Sequence, residues 1–238
     1  IGETIAFATK RKLQIITLRG DQGLGKTRLI QEVERRLEKG GYNVAVYRAE
    51  CPPQGRSLPL SAITSMIHVV AGIAEGDPYE RVAAIEPRFR ALGLHADEVR
   101  AILGQVGAVG GTPDSGGQLA LRNAFGRMVS RLGEDRPCFL VWDSAHQLDE
   151  ESAKFLEALL PRLAKVRAVL AFSGRGAFSH RLEGFERHLA LELGELTQED
   201  GASLLAGRLG VSEVPPDLAR FVFERAGGHP QFIEELAK

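Results

Sequence analysis

The sequence predicts an α/β fold, in which a parallel five-stranded sheet is followed by a small helical unit. Five short runs are almost continuously apolar, as is typical of strands covered on both faces. These runs are residues 13–18, 43–49, 138–142, 168–173 and 189–193. Helical patterns at 26–39, 60–73, 119–132 and 151–163 lie among them. Because strands and helices alternate, we expect a parallel sheet with right-handed crossovers.

No strand pattern follows the fifth run. Thr197, with Asp200 three residues later, is typical of a helix N-terminus, and we predict a helix from there to about residue 208. A second helix is expected from Pro216 to about residue 225, and a third after His229-Pro230. We therefore divide the chain into an α/β domain, 1–194, and a helical lid, 195–238.

The ends of the chain lead to a further expectation. The first residue is Ile1 rather than methionine, and the last residues, up to Lys238, still follow a helical pattern. We expect the lid to be truncated and the chain to be a part of a longer polypeptide.

Residues 75–118 give the weakest pattern. Glycines are frequent from Gly104 to Gly117, and we predict a long flexible surface loop there. A segment gated by nucleotide or by a partner is the alternative.

The composition excludes several classes of protein. Of the 238 residues 44% are apolar, which is enough for a substantial core. The chain has 30 basic and 31 acidic residues, so no basic excess indicates direct nucleic-acid binding. No apolar run reaches the ~18 residues of a membrane span, and no signal peptide is recognisable. With Cys51 and Cys138 expected as buried free thiols, these features favour a cytoplasmic protein.

Residues 20–27, GDQGLGKT, match the phosphate-loop pattern G-x-x-x-x-G-K-[ST] in its expected place between a strand and a helix. Glycines let backbone N–H groups converge on a phosphate, and the helix N-terminus adds partial positive charge. Lys26 would reach the β- and γ-phosphates, and Thr27 would ligate Mg²⁺. The segment predicts a site for ATP (or ADP) with Mg²⁺. The residues expected to contact the nucleotide are Gly20, Gln22, Gly23, Leu24, Gly25, Lys26, Thr27 and Arg28.

Asp143 ends the third apolar run and would lie at the carboxyl edge of a central strand, beside the phosphate loop. There it would hold Mg²⁺ through a water molecule. A turn aspartate without function is the alternative. Arg175 follows the fourth run, where its guanidinium could contact γ-phosphate oxygens. A solvated loop arginine is the alternative.

A base for hydrolysis is harder to assign. Ser144 occupies the position where many ATPases of this build carry a second acid, and a hydroxyl is too weak a base to replace it. Asp149 and Glu150 could reach the attacking water, although an acidic pair at a helix start is more often a cap. Glu50 ends the second run, but we expect an edge strand to hold it too far away. Hydrolysis is therefore expected to be weak or impaired.

Together these segments resemble the signal-transduction ATPases with numerous domains (STAND), relatives of the AAA+ proteins, and especially the AAA-type modules of large bacterial regulators. The resemblance rests on GDQGLGKTRL, VWDSAHQLD, AFSGR, ELTQED and GGHPQFIEEL. It implies a P-loop NTPase fold with strand order 5-1-4-3-2 and catalytic roles for Lys26, Asp143 and Arg175. Arg175 would sense the γ-phosphate, and Pro230 would pack against the adenine from the lid.

The chain departs from the family pattern at three places. Ser144 replaces the second acid, Gln147 stands where a tryptophan is usual, and Glu3 stands where the family has an arginine that contacts the base. His229 could touch the nucleotide or serve as a turn residue.

The resemblance implies an ATP- and Mg²⁺-binding switch in a larger regulatory protein, with a role in signal transduction or transcription regulation. Its partners would be the nucleotide, flanking effector domains of the same chain and other copies in a homo-oligomer. The alternatives are an active ATPase that loads or remodels DNA or protein, and a scaffold that needs no nucleotide. An intact Lys26, Thr27 and Asp143 disfavour the scaffold.

Overall fold

The computed structural model describes residues 12–53, 58–73, 78–107, 115–176 and 184–238. Five strands form one all-parallel sheet in the order β2-β3-β4-β1-β5, which is the predicted order 5-1-4-3-2 counted from the other edge. Each predicted strand lies within two residues of its observed ends. The strands are β1 Gln14–Arg19, β2 Ala45–Glu50, β3 Cys138–Asp143, β4 Ala168–Gly174 and β5 His188–Glu192.

Helices connect the strands and follow the sheet. Those of the α/β part are α1 Lys26–Lys39, α2 Ser61–Ala71, α3 Pro78–Ala91, α4 Ala96–Gly107, α5 Ser115–Asp135 and α6 Glu150–Leu163. A short 3₁₀ turn, Ala145–Gln147, lies between β3 and α6. The last three helices are α7 Gln198–Leu209, α8 Pro216–Ala226 and α9 Pro230–Leu236, at the places where the sequence predicts them.

The prediction of one long loop from Gly104 to Gly117 is wrong at both ends. Helix α4 continues to Gly107, and α5 begins at Ser115, while residues 108–114 lie outside the described part. A glycine weakens a helix by only ~1 kcal/mol relative to alanine. Burial of Ile102 and Leu121 in the core outweighs this penalty.

The sheet has a hydrophobic layer on each face. Leu140 and Trp142 of β3 belong to the larger layer, formed with α2 to α6, whereas Phe139 and Val141 belong to the smaller layer under α1. Side chains alternate along a strand, so Asp143, the next residue of β3, faces the α1 side. The alternation therefore determines on which face the acidic end of β3 lies.

Trp142 anchors the larger layer. Its ring is stacked on Phe172 of β4 with centroids 5.1 Å apart, and its Nε1 donates to the carbonyl oxygen of Ala62 at 3.0 Å. This buried hydrogen bond fixes the end of β3 against α2.

Helices α7 to α9 have a hydrophobic cluster of their own, with Leu205, Val222, Ala226 and Ile233 at its centre. Thr197 is the N-cap of α7, as predicted: its hydroxyl accepts a hydrogen bond from the backbone N–H of Asp200 at 3.1 Å. A separate cluster lets these helices pack together largely through their own apolar faces.

The two cysteines are buried free thiols, as predicted. Burial raises the pKa of Cys51 and of Cys138 to about 12, so neither is a reactive thiolate near neutral pH. Within the described ranges, no helix is both long and apolar enough to cross a bilayer.

Asp149 is a structural cap and is unsuited to act as a catalytic base. It is 3% exposed, and its carboxylate accepts hydrogen bonds from the N–H groups of Leu60 and Ser152, each at 2.8 Å. The hydroxyls of Ser61 and Ser152 donate to the same carboxylate at 3.1 and 2.6 Å. One side chain thus joins the N-termini of α2 and α6.

We expect Asp149→Ala to lower the free energy of unfolding by about 2–4 kcal/mol, because it removes a cap and leaves buried donors unpaired. Urea denaturation would measure the change. Asp217→Ala, which removes an exposed carboxylate paired with Arg220, is the control and should change stability by less than about 0.5 kcal/mol. Equal effects of the two substitutions would contradict the assignment.

Candidate phosphate-binding site

The loop between β1 and α1 depends on glycine at two positions. Gly23 has φ 82° and Gly25 has φ 90°, which lie in the left-handed region. A Cβ on Gly23 would also lie 2.4 Å from Cε1 of His229. Any other residue at position 23 would therefore strain the loop and separate it from α9.

The N-terminus of α1 opens toward a cavity of about 340 Å³. Its N-cap residue is Gly25; no described side chain caps it, and the first turn carries no acidic residue. The helix therefore presents backbone N–H groups and the positive end of its dipole. The cavity is lined by Gln22, Gly23, Lys26, Thr27, Glu50, Cys51, Pro53, Asp143, Ser144, His146, Gln147, Gly174 and Arg175.

Lys26 folds back over the loop. Its Nζ donates to the carbonyl oxygens of Gly20 at 2.8 Å and Asp21 at 2.6 Å. Burial and the nearby Arg175 guanidinium lower the pKa of Lys26, and the carboxylates of Asp143 and Asp21 partly offset this effect. The ammonium is thus a cation held by two neutral acceptors, which phosphate oxygens could replace.

Asp143 is the most heavily bonded group of the site. Its Oδ2 accepts from the hydroxyl of Thr27 at 3.1 Å and from Nη2 of Arg48 at 2.6 Å. Its Oδ1 accepts from the N–H of Ser144 at 2.9 Å and from the Ser173 hydroxyl. Burial alone would raise the pKa of Asp143, but hydrogen bonds from Ser173 and Arg48 outweigh burial and place the pKa below its ordinary value of 3.8.

These groups fit a magnesium ion. Thr27 and Asp143 supply a hydroxyl and a carboxylate within 3.1 Å of each other, and hard oxygen ligands of this kind suit Mg²⁺. In the described part of the chain, no group of three or more His, Cys, Asp or Glu residues could hold a metal by itself. Mg²⁺ commonly takes only one or two protein ligands and completes its shell with phosphate oxygens and water.

Arg175 follows β4 and reaches the same cavity, where it bridges two elements. Its Nη1 donates to Oε1 of Gln22 in the loop at 3.2 Å, and its Nη2 lies 3.2 Å from Nε2 of His146. The guanidinium is therefore held in place beside the loop instead of extending freely into solvent.

Helix α9 contacts the loop from the other side. Nε2 of His229 lies 2.8 Å from the carbonyl oxygen of Gln22, and Arg28 forms an ion pair with Glu234 at 2.6 Å. Pro230 is the first residue of α9. A second cavity, of about 510 Å³, lies on this side and is lined by Arg19, Gly20, Asp21, Leu24, Gly176, Glu192, Leu193, Gly194, Glu195 and His229.

The expectation about Glu50 is wrong. Strand β2 is an edge strand, but its neighbour is β3, and Glu50 is the register partner of Asp143. Glu50 lines the cavity together with Lys26 and Thr27. The predicted strand order already placed β2 beside β3, but it did not include the register that sets Glu50 level with Asp143, so the distance from Glu50 to the site was misjudged.

Sequence reasoning also missed Arg48 and Ser173, the two side chains that lower the pKa of Asp143. Each lies on a strand next to β3. A charged residue inside an otherwise apolar run was a usable signal for Arg48. Ser173 offered no comparable signal, since small hydroxyl residues are common in strands.

A strand, a glycine-rich loop and a helix, with an aspartate at the end of a nearby parallel strand bonded to the loop threonine, define the P-loop NTPase class. The AAA ATPase domain family matches residues 6–172, and the chain belongs to this family. Residues 197–238 match a domain of unknown function.

The chain is similar to an uncharacterised protein of Rhizobium meliloti (strain 1021), at 24% identity over 233 residues; it spans 94% of this chain and only 22% of that protein. Among solved structures, Cdc6p of Pyrobaculum aerophilum matches with TM-score 0.55 and 16% identity over 98% of this chain and 57% of that one. A STAND protein with a tetratricopeptide repeat sensor from Pyrococcus horikoshii matches with TM-score 0.47 and 16% identity, over 97% of this chain and 28% of that one. The likeness in fold rests on the Cdc6p structure alone.

We expect the stability that Asp143 contributes to disappear in acid. Because its folded pKa lies below 3.8, this contribution is complete above that value and is lost as the pH falls through the folded pKa. Urea denaturation of wild type and Asp143→Asn from pH 7 to pH 2.5 would show a stability difference that is constant near neutral pH and shrinks below about pH 4. A difference that does not change with pH would contradict the network, and Asp217→Asn provides the exposed control.

Proposed function

We propose that the chain is an ATP- and Mg²⁺-binding switch, in which the bound nucleotide sets the position of the helical lid, 195–238, relative to the α/β domain, 1–194. One observation carries this proposal. The backbone carbonyl of Gln22, in the phosphate loop, contacts His229, the N-cap of α9, and the side chain of Gln22 contacts Arg175. A phosphate entering the loop would therefore act on both the lid and the sheet edge.

The positions of the site residues support the following roles. Lys26 would exchange the carbonyls of Gly20 and Asp21 for β- and γ-phosphate oxygens. Thr27 would ligate Mg²⁺, and Asp143 would bind a water molecule coordinated to the Mg²⁺ ion. The ion would neutralise phosphate charge, while Arg175 would reach the γ-phosphate that ADP lacks.

The lid contacts suit a movable element. The ion pair between Arg28 and Glu234 has side chains that are 65% and 41% exposed, and such pairs contribute only about 0–1 kcal/mol. The hydrogen bond from His229 to the loop is also exposed. Because these contacts are weak, a nucleotide that bridges loop and lid could shift their equilibrium. Pro230, at the start of α9, would pack against the adenine.

The switch would belong to a larger regulatory protein and act on flanking domains of the same polypeptide, with self-association as a further means of output. The match to a much longer relative, of which the chain covers 22%, supports this part of the proposal. An active ATPase that loads or remodels DNA or protein is the second candidate. The position of Glu50 in the cavity favours it, because that carboxylate could serve turnover.

Lys26→Ala should weaken ATP binding about 10- to 100-fold, because it removes charge-assisted hydrogen bonds to phosphate. Isothermal titration calorimetry with Mg²⁺ and ATP would measure the affinity. Lys165→Ala, an exposed lysine after α6 that does not line the cavity, is the matched control and should leave it unchanged. Equal ATP affinity of wild type and Lys26→Ala would refute the proposed site.

Arg175→Ala should reduce the preference for ATP over ADP about tenfold and leave ADP affinity unchanged, since the guanidinium would contact only the γ-phosphate. Arg100→Ala, an exposed arginine of α4, is the control.

Lid movement can be followed with spin labels at Glu38→Cys on α1 and Glu213→Cys in the lid, both exposed positions. The native cysteines are buried and should stay unlabelled. The label distance should differ between ATP and ADP in wild type and not in Arg175→Ala. One distance under all conditions would contradict the switch.

A further inference from the structure

The position of Glu50 follows from the register of the sheet. Glu50 ends β2 and is level with Asp143, which ends β3. Adjacent strands lie about 4.8 Å apart, and level residues of parallel strands project from the same face. Arg48, two residues earlier on β2, confirms which face this is, because it bonds to Asp143 on the α1 side. Glu50 therefore belongs to the side where Thr27 and the phosphate loop lie.

The Glu50 carboxylate is exposed and lines the cavity. Asp143 is the other carboxylate among the described lining residues, and four donors already occupy it. No hydrogen bond or ion pair to Glu50 occurs within the described ranges, and the neighbouring Arg48 guanidinium is bound to Asp143 at 2.6 Å. Of the two carboxylates, Glu50 is the one whose oxygens can accept a proton from water.

The other candidates for a base are occupied or unsuitable. Asp149 is buried and bonded to the starts of two helices. Ser144 has only a hydroxyl. His146 lines the cavity, but its Nε2 lies 3.2 Å from Arg175 and accepts from that cation. Glu150 is an exposed residue of α6, 3.8 Å from Lys154, and does not line the cavity.

We propose that Glu50 is the general base for ATP hydrolysis and supplies the carboxylate that is missing at Ser144. The inference rests on ATP binding in this cavity. The water oxygen forms a bond to the γ-phosphorus as the bond from that phosphorus to the β,γ-bridging oxygen breaks. One proton of the water passes to the Glu50 carboxylate and then to solvent. ADP and inorganic phosphate are the products. Turnover of this kind would reset the switch.

The test compares Glu50→Gln with wild type in two measurements. In single-turnover reactions with ATP and Mg²⁺, the rate of phosphate formation should fall about 100-fold or more, which is the usual contribution of a general base. In calorimetric titrations, the ratio of ATP to ADP affinity should rise about threefold or more, because a negative charge next to the γ-phosphate is removed. A carboxylate with a merely structural role would not raise this ratio.

Glu157→Gln is the matched control, since it changes an exposed carboxylate of α6 that lines neither cavity. A double variant, Glu50→Gln with Ser144→Glu, places a carboxylate beside Asp143. It should form phosphate at least tenfold faster than Glu50→Gln. His146→Gln should reduce the rate far less than Glu50→Gln.

Three results would overturn the inference. They are ATP binding by wild type without phosphate formation, a rate for Glu50→Gln equal to that of wild type, and loss of the reaction in His146→Gln alone. Failure of wild type to bind ATP would overturn the proposed function as well, so the binding titration separates the two failures. Urea denaturation of Glu50→Gln would show whether a loss of rate is due to unfolding. If it is, Glu50→Asp provides the test: because it keeps a carboxylate on a shorter side chain, its rate of phosphate formation should lie between the rates of wild type and Glu50→Gln.

Discussion

The site depends on one carboxylate. Asp143 accepts hydrogen bonds from α1, from β2, from β4 and from its own following residue, through Thr27, Arg48, Ser173 and Ser144. A half-buried anion is stable only when such donors replace water. These bonds therefore stabilise the charged carboxylate and at the same time fix the spacing between the sheet edge and the start of α1. The geometry of the phosphate loop follows from that spacing.

The loop itself is stabilised from two sides. Lys26 closes it from within by donating to its carbonyls, and His229 contacts it from α9. Gly23 permits this close approach because it has no Cβ. The core of the sheet, with Trp142 stacked on Phe172, is by contrast fully buried. A rigid sheet edge next to weak, exposed lid contacts suits the ligand-controlled rearrangement that we propose.

Much of the fold was predictable because its signals are local. Buried parallel strands need continuous apolar runs, and all five were found within two residues of their observed ends. Caps such as Thr197 act within one helical turn, so their sequence signature is reliable. The prediction of a loop from Gly104 to Gly117 was wrong for the opposite reason. Its glycines indicate a loop, but burial of α4 and α5 against the core decides in favour of helix over 104–107 and 115–117.

By itself the sequence determined the class of the fold and the loop of residues 20–27, because a phosphate loop needs glycines, a lysine and a threonine at fixed spacing. Only the tertiary structure decided which side chains surround Asp143. Arg48, Ser173 and Glu50 come from strands that are distant in sequence and meet at one edge because of the strand order. The strand order was predicted, but the register that sets Glu50 level with Asp143 is a property of the folded sheet, and this register brings Glu50 to the site.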